Sequence, residues 1–312
     1  MIVGQKNAEI KNPFPERLKK GEKFVIMKQD EKSEEKTMTE TVKTLLSHEG
    51  IRLCAPIALS ELKILRPYLL EKNGMNTDGT AFLFAIPYYT TECDHPARNI
   101  SAYAVSADYH GYMKKLFDRV LPALREKYPE NIFLGFSDHS PIAEADAAVR
   151  AGLGFFGHNH LFLTREYSSY VFLGEIITDA SVPSAKSQKS ECIGCDACLR
   201  ECPVGMDLTR CLSALTQKKG ALTEEEEKRI LENGMVWGCD RCQEVCPVTK
   251  SAKENGTLYS DISYLKESAL PHLTLEVVQN MSQEEFESRA FSWRGRETIL
   301  RNLKLFERKE KR

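Results

Sequence analysis

Apolar residues in this chain fall into blocks whose spacing alternates between helical and unbroken. In TETVKTLLSHEG, Val42, Leu45 and Leu46 recur at helical intervals and Gly50 closes the turn, which predicts a helix from Met38. Leu59 to Leu70 reads as a second helix, ending before Asn73-Gly74. AFLFAIPYY (81–89) is a short unbroken apolar run suited to a buried strand. Beyond a polar loop with Cys93 and Pro96, residues 101–127 predict a long amphipathic helix, and NIFLGFS (131–137) a second buried strand. PIAEADAAVRAG (141–152) is alanine-rich, opens on proline and ends on Gly152, as a helix does. Strand, helix, strand, helix is the alternation of an α/β fold. HLFLTREYSSYVFLGEIIT (160–178) reads as a hairpin of two strands around a polar turn.

A polar linker at 179–191 separates this region from a cysteine-rich one running from 192 to about 250. Within the latter, Thr223 and Glu226 form a capping box for a helix that Gly234 closes. Residues 273–312 read as helical, with a second box at Ser282 and Glu285. Before Met38 the pattern is weak, and KQDEKSEEK (28–36) reads as a solvated charge run. The expected organisation is an extension over 1–37, an α/β domain over 38–182, a cysteine-rich domain over 183–255 and a helical segment over 256–312.

Composition narrows the class. With 312 residues, 42% of them hydrophobic and 28% charged, the chain is long enough for about two globular cores, and disordered or fibrous classes are excluded. A net charge of −2 gives no global pull toward nucleic acid or acidic lipid. A local patch could: residues 294–312 hold eight Lys and Arg against three Glu, although a basic terminal helix is more often simply solvated. No apolar run reaches the ~18 residues of a membrane span. The start, MIVGQKNAEIKNPF, lacks an apolar signal core and a twin arginine, so a cytoplasmic protein is expected.

Of ten cysteines, eight fall between positions 192 and 246. In a reducing compartment that density points to metal binding. Cys192-x2-Cys195-x2-Cys198-x3-Cys202-Pro203 is the bacterial ferredoxin run, in which three thiolates bind one [4Fe–4S] cube and the fourth serves another. A partial second run, Cys239-x2-Cys242-x3-Cys246-Pro247, has Val236 where a complete copy needs cysteine, and Cys211 supplies the missing thiolate. The crossover rule then assigns Cys192, Cys195, Cys198 and Cys246 to one cluster, and Cys202, Cys211, Cys239 and Cys242 to the other. Four-cysteine zinc sites also use C-x2-C pairs, but have no use for the third close cysteine or the Cys-Pro ends. Cys54 and Cys93 are left as a core residue and a loop thiol.

Taken in order, AFLFAIPYY, ADYHGYMKKL (107–116), SDHSPIAEADAAVRAGLGFFGHNHLFL (137–163), YVFLGEIITD (170–179), the double cysteine run with CLSALT (211–216) and RETILRNL (296–303) resemble the epoxyqueuosine reductase family. Ser106-Ala107, His158 and His160 depart from its usual pattern. The resemblance implies an α/β corrinoid-binding catalytic domain, then a ferredoxin-like domain with two [4Fe–4S] clusters, then a short helical segment. It implies cobalamin as a further cofactor, tRNA as the carrier of the substrate epoxide, and an external low-potential electron donor such as a flavodoxin or ferredoxin. It places the proton-donating aspartate at Asp138, with Asp108, Tyr109, His110, Asn159, Gly174 and Glu175 around the corrinoid pocket. An acid in a dry cleft keeps its proton near neutral pH because burial raises a carboxyl pKa. Read alone, an aspartate after a strand and before a proline-started helix is more often a helix cap or turn former than a catalytic acid. His158 and His160 suit either a metal or strand alternation. Two other functions fit the same modules: a reductive dehalogenase-like catalyst, and a non-catalytic electron carrier whose α/β part binds its partner.

Overall fold

The computed structural model describes residues 37–185 and 190–310. The expectations for the 1–36 extension, its charge run, the middle of the 179–191 linker and the last two basic residues lie outside them. The strands are β1 (Leu53–Ala58), β2 (Thr80–Pro87), β3 (Phe133–Phe136), β4 (Phe155–Phe156), β5 (Phe162–Leu163) and β6 (Val171–Thr178). Four of them form one sheet in the order β1-β2-β6-β3, every pair antiparallel, while β4 and β5 pair separately. All eight residues of β2 are buried, as its unbroken apolar run requires. β2 and β3 point the same way, as the α/β alternation predicts, but β6 lies between them, so no parallel pair forms.

That insertion corrects the expected 160–178 hairpin. β6 pairs with β2 and β3 over its length, leaving Phe162–Leu163 to pair with Phe155–Phe156. The helix expected over 59–70 is also corrected. A 3-10 turn at Leu59–Glu61 is followed by a bridge from Ile64 to Ile142, and only α2 (Tyr68–Glu71) is helical. Pro67 is the cause, because the residue before a proline is pushed out of the helical region. β1 escaped the sequence reading because it contains Pro56, which is tolerated here since β1 is an edge strand.

Helices cover both faces of the sheet. On one face Phe82, Phe84 and Ile176 pack with Val42 and Leu46 of α1 (Met38–His48) and with Met113, Leu116 and Val120 of α3 (Tyr109–Lys127). On the other, Ala55, Ile57, Leu83 and Ile177 pack with Ile142 and with Ala147 of α4 (Glu144–Arg150). The cysteine-rich region holds α5 (Ala197–Glu201), α6 (Leu212–Thr216), α7 (Glu224–Asn233), α8 (Arg241–Glu244) and α9 (Pro247–Glu254). The expected helical segment over 256–312 consists of α10 (Ser263–Glu267), α11 (Leu275–Asn280), α12 (Gln283–Glu287) and α13 (Arg296–Glu310), so the described part of the 273–312 stretch is three α-helices rather than one. Capping boxes at Thr223 and Ser282 open α7 and α12 as expected, and Gly234 ends α7 at φ +77°. The first core continues without a break from the sheet through Trp237 to Leu265, Phe291 and Leu303, so sheet, cysteine-rich region and terminal helices share one interior. No helix among the described residues is long and apolar enough to cross a membrane.

Candidate functional site

α3 begins beside the ends of β2 and β3, and its first turn carries three of the expected site residues. Asp108 is its N-cap: the carboxylate accepts from the His110 backbone N–H at 2.9 Å and meets the imidazole Nδ1 at 2.7 Å. The other imidazole nitrogen, Nε2, lies 3.2 Å from Oδ2 of Asp138 in the loop after β3. Tyr109 hydrogen-bonds to Asp138 as well, and its ring stacks on Phe172 at 4.1 Å. Gly111 lets the helix start seat against Tyr264, because a Cβ there would lie 2.3 Å from that hydroxyl. Asp108, Tyr109, His110 and Asp138 therefore lie together.

The protonation of that constellation departs from expectation. Asp138 is not in a dry cleft, since its side chain is 66% exposed. The hydrogen bond from His110 holds its carboxyl below the usual range. Hydrogen bonds to Asp108 and then Asp138 raise His110 to about 10. At neutral pH the proton sits on the imidazole, between two carboxylates. The capping alternative is also removed: the N-cap of α4 is Ala143, and Asp138 stands six residues before the helix, at φ +57°.

The eight clustered cysteines form two quartets around separate hollows. Cys192, Cys195, Cys198 and Cys246 line the narrower one, beside His158 and Pro247. Cys202, Cys211, Cys239 and Cys242 line a cavity of about 370 Å³. Electrostatics divide them the same way. Cys198 is raised by burial and then by Cys246 and Cys192, whereas Cys242 is pushed up to about 12 by burial and then by Cys239, Cys202 and Cys211. Among the described residues, no three His, Cys, Asp or Glu side chains are gathered to hold a single metal ion.

The larger cavity reaches from this quartet to the sheet. Tyr88, Leu161, Val171 and Phe172 give it an apolar wall, with Ser101, Ser169 and Gln243 among its polar groups. Phe172 joins it to the Asp138 cluster through Tyr109. Asn159 borders both hollows. Gly174 and Glu175 do not reach either one. A Cβ on Gly174 would lie 2.7 Å from the Phe84 ring, inside the core, and Glu175 is wholly buried on the opposite face of β6. His158 pairs with Asp196 at 2.7 Å, and His160 occupies a left-handed turn, so strand alternation does not explain the two histidines.

Three features escaped sequence reasoning. Asp240, only 1% exposed, meets Arg98 at 2.7 Å and accepts from the Ala102 N–H at 2.8 Å, tying the loop after β2 to the cysteine-rich region. Glu144 and Glu175 come together behind Asp138. The basic terminal stretch is partly spent on structure: Arg301 donates to the carbonyls of Lys218 and Gly220, both at 2.6 Å, and Arg296 to those of Val278, Met281 and Ser282.

An α/β sheet joined to two cysteine quartets defines an iron–sulfur protein of mixed architecture, and residues 191–249 match the family model of a 4Fe-4S double cluster binding domain. In sequence and fold the chain resembles the epoxyqueuosine reductases. That of Bacillus cereus is 32% identical over 204 residues, 62% of this chain and 53% of that protein. The Bacillus subtilis enzyme, solved with its catalytic aspartate loop swung out of the active site, overlays with a TM-score of 0.65 at 25% identity, over 86% of this chain and 80% of that one. An epoxyqueuosine reductase in complex with an epoxyqueuosine-modified tRNA-Tyr stem loop overlays at 0.64, with the same identity and coverage. The chain spans about half the length of the curated relatives it matches.

Proposed function

We propose that this protein is a cobalamin- and iron–sulfur-dependent reductase that removes the epoxide oxygen of epoxyqueuosine in tRNA. The observation that carries the reading is the convergence of Asp138, His110 and Tyr109 beside a cavity walled partly by a cysteine quartet. The quartets suit two [4Fe–4S] clusters, because each surrounds its own hollow and takes the crossover partition of the ferredoxin run. A corrinoid would pack on the outer apolar wall of Tyr88, Leu161, Val171 and Phe172, beyond the part of the cavity that the quartet's cluster fills, with Asn159 and the serines toward its polar fringe. When bound, these groups supply two electrons at the substrate carbon.

The chain's own residues manage the protons. Deoxygenating an epoxide to an alkene consumes two electrons and two protons, and the oxygen leaves as water. Asp138 faces the departing oxygen and His110 holds the first proton, so protonation draws on the pair: the imidazolium gives its Nε2 proton to Oδ2, and Asp138 passes a proton on. The second proton comes from solvent, which reaches Asp138 freely at its present exposure. Asp108 fixes the imidazole by holding Nδ1, so that Nε2 is the nitrogen aimed at Asp138. Tyr109 orients the carboxylate and closes the cavity wall against Phe172.

The test is anaerobic reconstitution with iron, sulfide and cobalamin, then assay on epoxyqueuosine-containing tRNA with a reduced viologen as donor. Queuosine formation supports the reading. A fully loaded protein that leaves the epoxide intact would assign these modules to another substrate. Loss of all corrinoid on gel filtration, with clusters retained, would favour an electron carrier.

A further inference from the structure

Behind the Asp138 loop, two glutamates meet where one charge is already hard to accommodate. Glu175 lies in the middle of β6 with no exposed surface, and Glu144 opens α4, the helix packed on that face of the sheet. Among the described residues neither Glu175 oxygen has a hydrogen-bond donor; the groups that act on it are Glu144 and Ser140, and the Asp138 carboxylate adds repulsion from outside. Arg66 acts on Glu144 as a cation, with its guanidinium engaged by the Ser140 carbonyl at 2.8 Å. A wholly buried carboxylate beside a half-buried one cannot ionise cheaply while its neighbour is charged. Burial and then the Glu144 charge push Glu175 well above the carboxylate range.

Glu144 is also bonded to the loop. Its Oε1 accepts the backbone N–H of Asp138 at 3.0 Å. Asp138 is one of only a few non-glycine residues held at positive φ among those described, a conformation that costs an L-residue of order 1 kcal/mol. A loop of that kind persists only where its neighbours over-determine it.

We infer that Glu144 and Glu175 share one proton, and that this neutral-plus-charged pair positions the Asp138 loop. Glu175 is the acid and donates to Glu144. Glu144 is the anion and accepts the Asp138 N–H, pinning the left-handed turn that aims the carboxylate at His110. The two are positioning residues and touch no reacting atom. The inference rests on Asp138 as the proton-transfer residue only for its catalytic consequence; the acid rests on the complete burial of Glu175 with no donor among the described residues to either of its oxygens, and the pinned turn on the Glu144–Asp138 hydrogen bond.

Two measurements test it without any substrate. Infrared spectroscopy at pH 7 on protein labelled with 13C-carboxyl glutamate should show one protonated carboxylic acid band that moves with the label and vanishes in Glu175→Gln. Hydrogen exchange of the Asp138 amide should be as slow in Glu175→Gln as in the native chain, because the amide side chain still donates to Glu144. In Glu144→Ala that amide should exchange at least ~10-fold faster, the loss of about one hydrogen bond. Absence of the acid band, or an Asp138 amide indifferent to Glu144→Ala in a variant with native circular dichroism, overturns the proposal. With epoxyqueuosine-containing tRNA, Glu175→Gln should keep near-native turnover and Glu175→Leu should lose it with KM little changed. Loss of turnover in Glu175→Gln despite a native exchange rate would overturn the positioning role, since the turn would be held and the activity still gone. A native pattern in these substrate-free readouts with no turnover by the native chain would leave the pair standing and remove the reductase reading.

Discussion

A carboxylate beside an imidazolium has no proton of its own to give until the imidazolium surrenders one, so Asp138 and His110 behave as one acid with two seats. Asp138→Asn keeps the side-chain shape but cannot relay a proton. Turnover on epoxyqueuosine-containing tRNA should fall by ~10²–10⁴-fold while iron and corrinoid contents stay native. Unchanged turnover in that variant would leave Asp138 as a turn residue alone. His110 also leaves a mark on stability. Its pKa rises from 6.5 to about 10 on folding, so its contribution is whole below pH 6.5 and is lost as pH rises through about 10. Urea midpoints should therefore decline across that window, and His110→Gln should flatten the decline. A native-like slope in the variant would place the titrating group elsewhere. The imidazole is half exposed, so the effect should shrink as salt is added.

At the scale of elements, packing around β6 makes the sharpest demands. A methyl on Gly174 would meet the Phe84 ring at 2.7 Å, and Phe84 is fixed in the core by α3. Gly174→Ala should cost ~1–3 kcal/mol in a thermal melt and leave cluster content unchanged. A loss of bound corrinoid without a loss of stability would restore Gly174 to the pocket where the family resemblance puts it. This strand also shows what was legible in advance. Its apolar content was plain, but which strands it joins depends on partners dozens of residues away, and no local period records that. β1 was hidden by a proline that only its edge position excuses. The cysteine runs were legible because their spacing is local chemistry, thiols set by a tight loop, whereas the helix expected from 101 opens only at Tyr109 behind its Asp108 cap. The protonation of Asp138 was not, because it depends on an imidazole twenty-eight residues upstream that only the fold brings to it. The Glu144–Glu175 contact was hidden in the same way, as each glutamate alone looks like an ordinary helix or strand residue.

Over the whole molecule, sheet and cysteine-rich region are tied at Asp240, which is buried against Arg98 and the Ala102 N–H. Asp240→Ala removes the buried partner of Arg98, leaves it paired with the half-exposed Glu244, orphans the Ala102 N–H, and should destabilise by ~1–3 kcal/mol in urea unfolding. A change under 1 kcal/mol would show that the shared core, not the ion pair, holds the parts together. The cysteine quartets are interlaced as well. Cys202, at the end of the first run, lines the second hollow, and Cys246, at the end of the second run, lines the first. Cys246→Ser should accordingly strip iron from the cluster of the first run, lowering the total from about eight irons per chain. The same stitching bears on lifetime in air. Each run grips both clusters, so opening either loop loosens all eight sulfurs, and neither cluster has a chain segment to itself on which to outlast the other. On exposure to oxygen the visible absorbance should bleach in a single exponential, with no long-lived species holding half the iron.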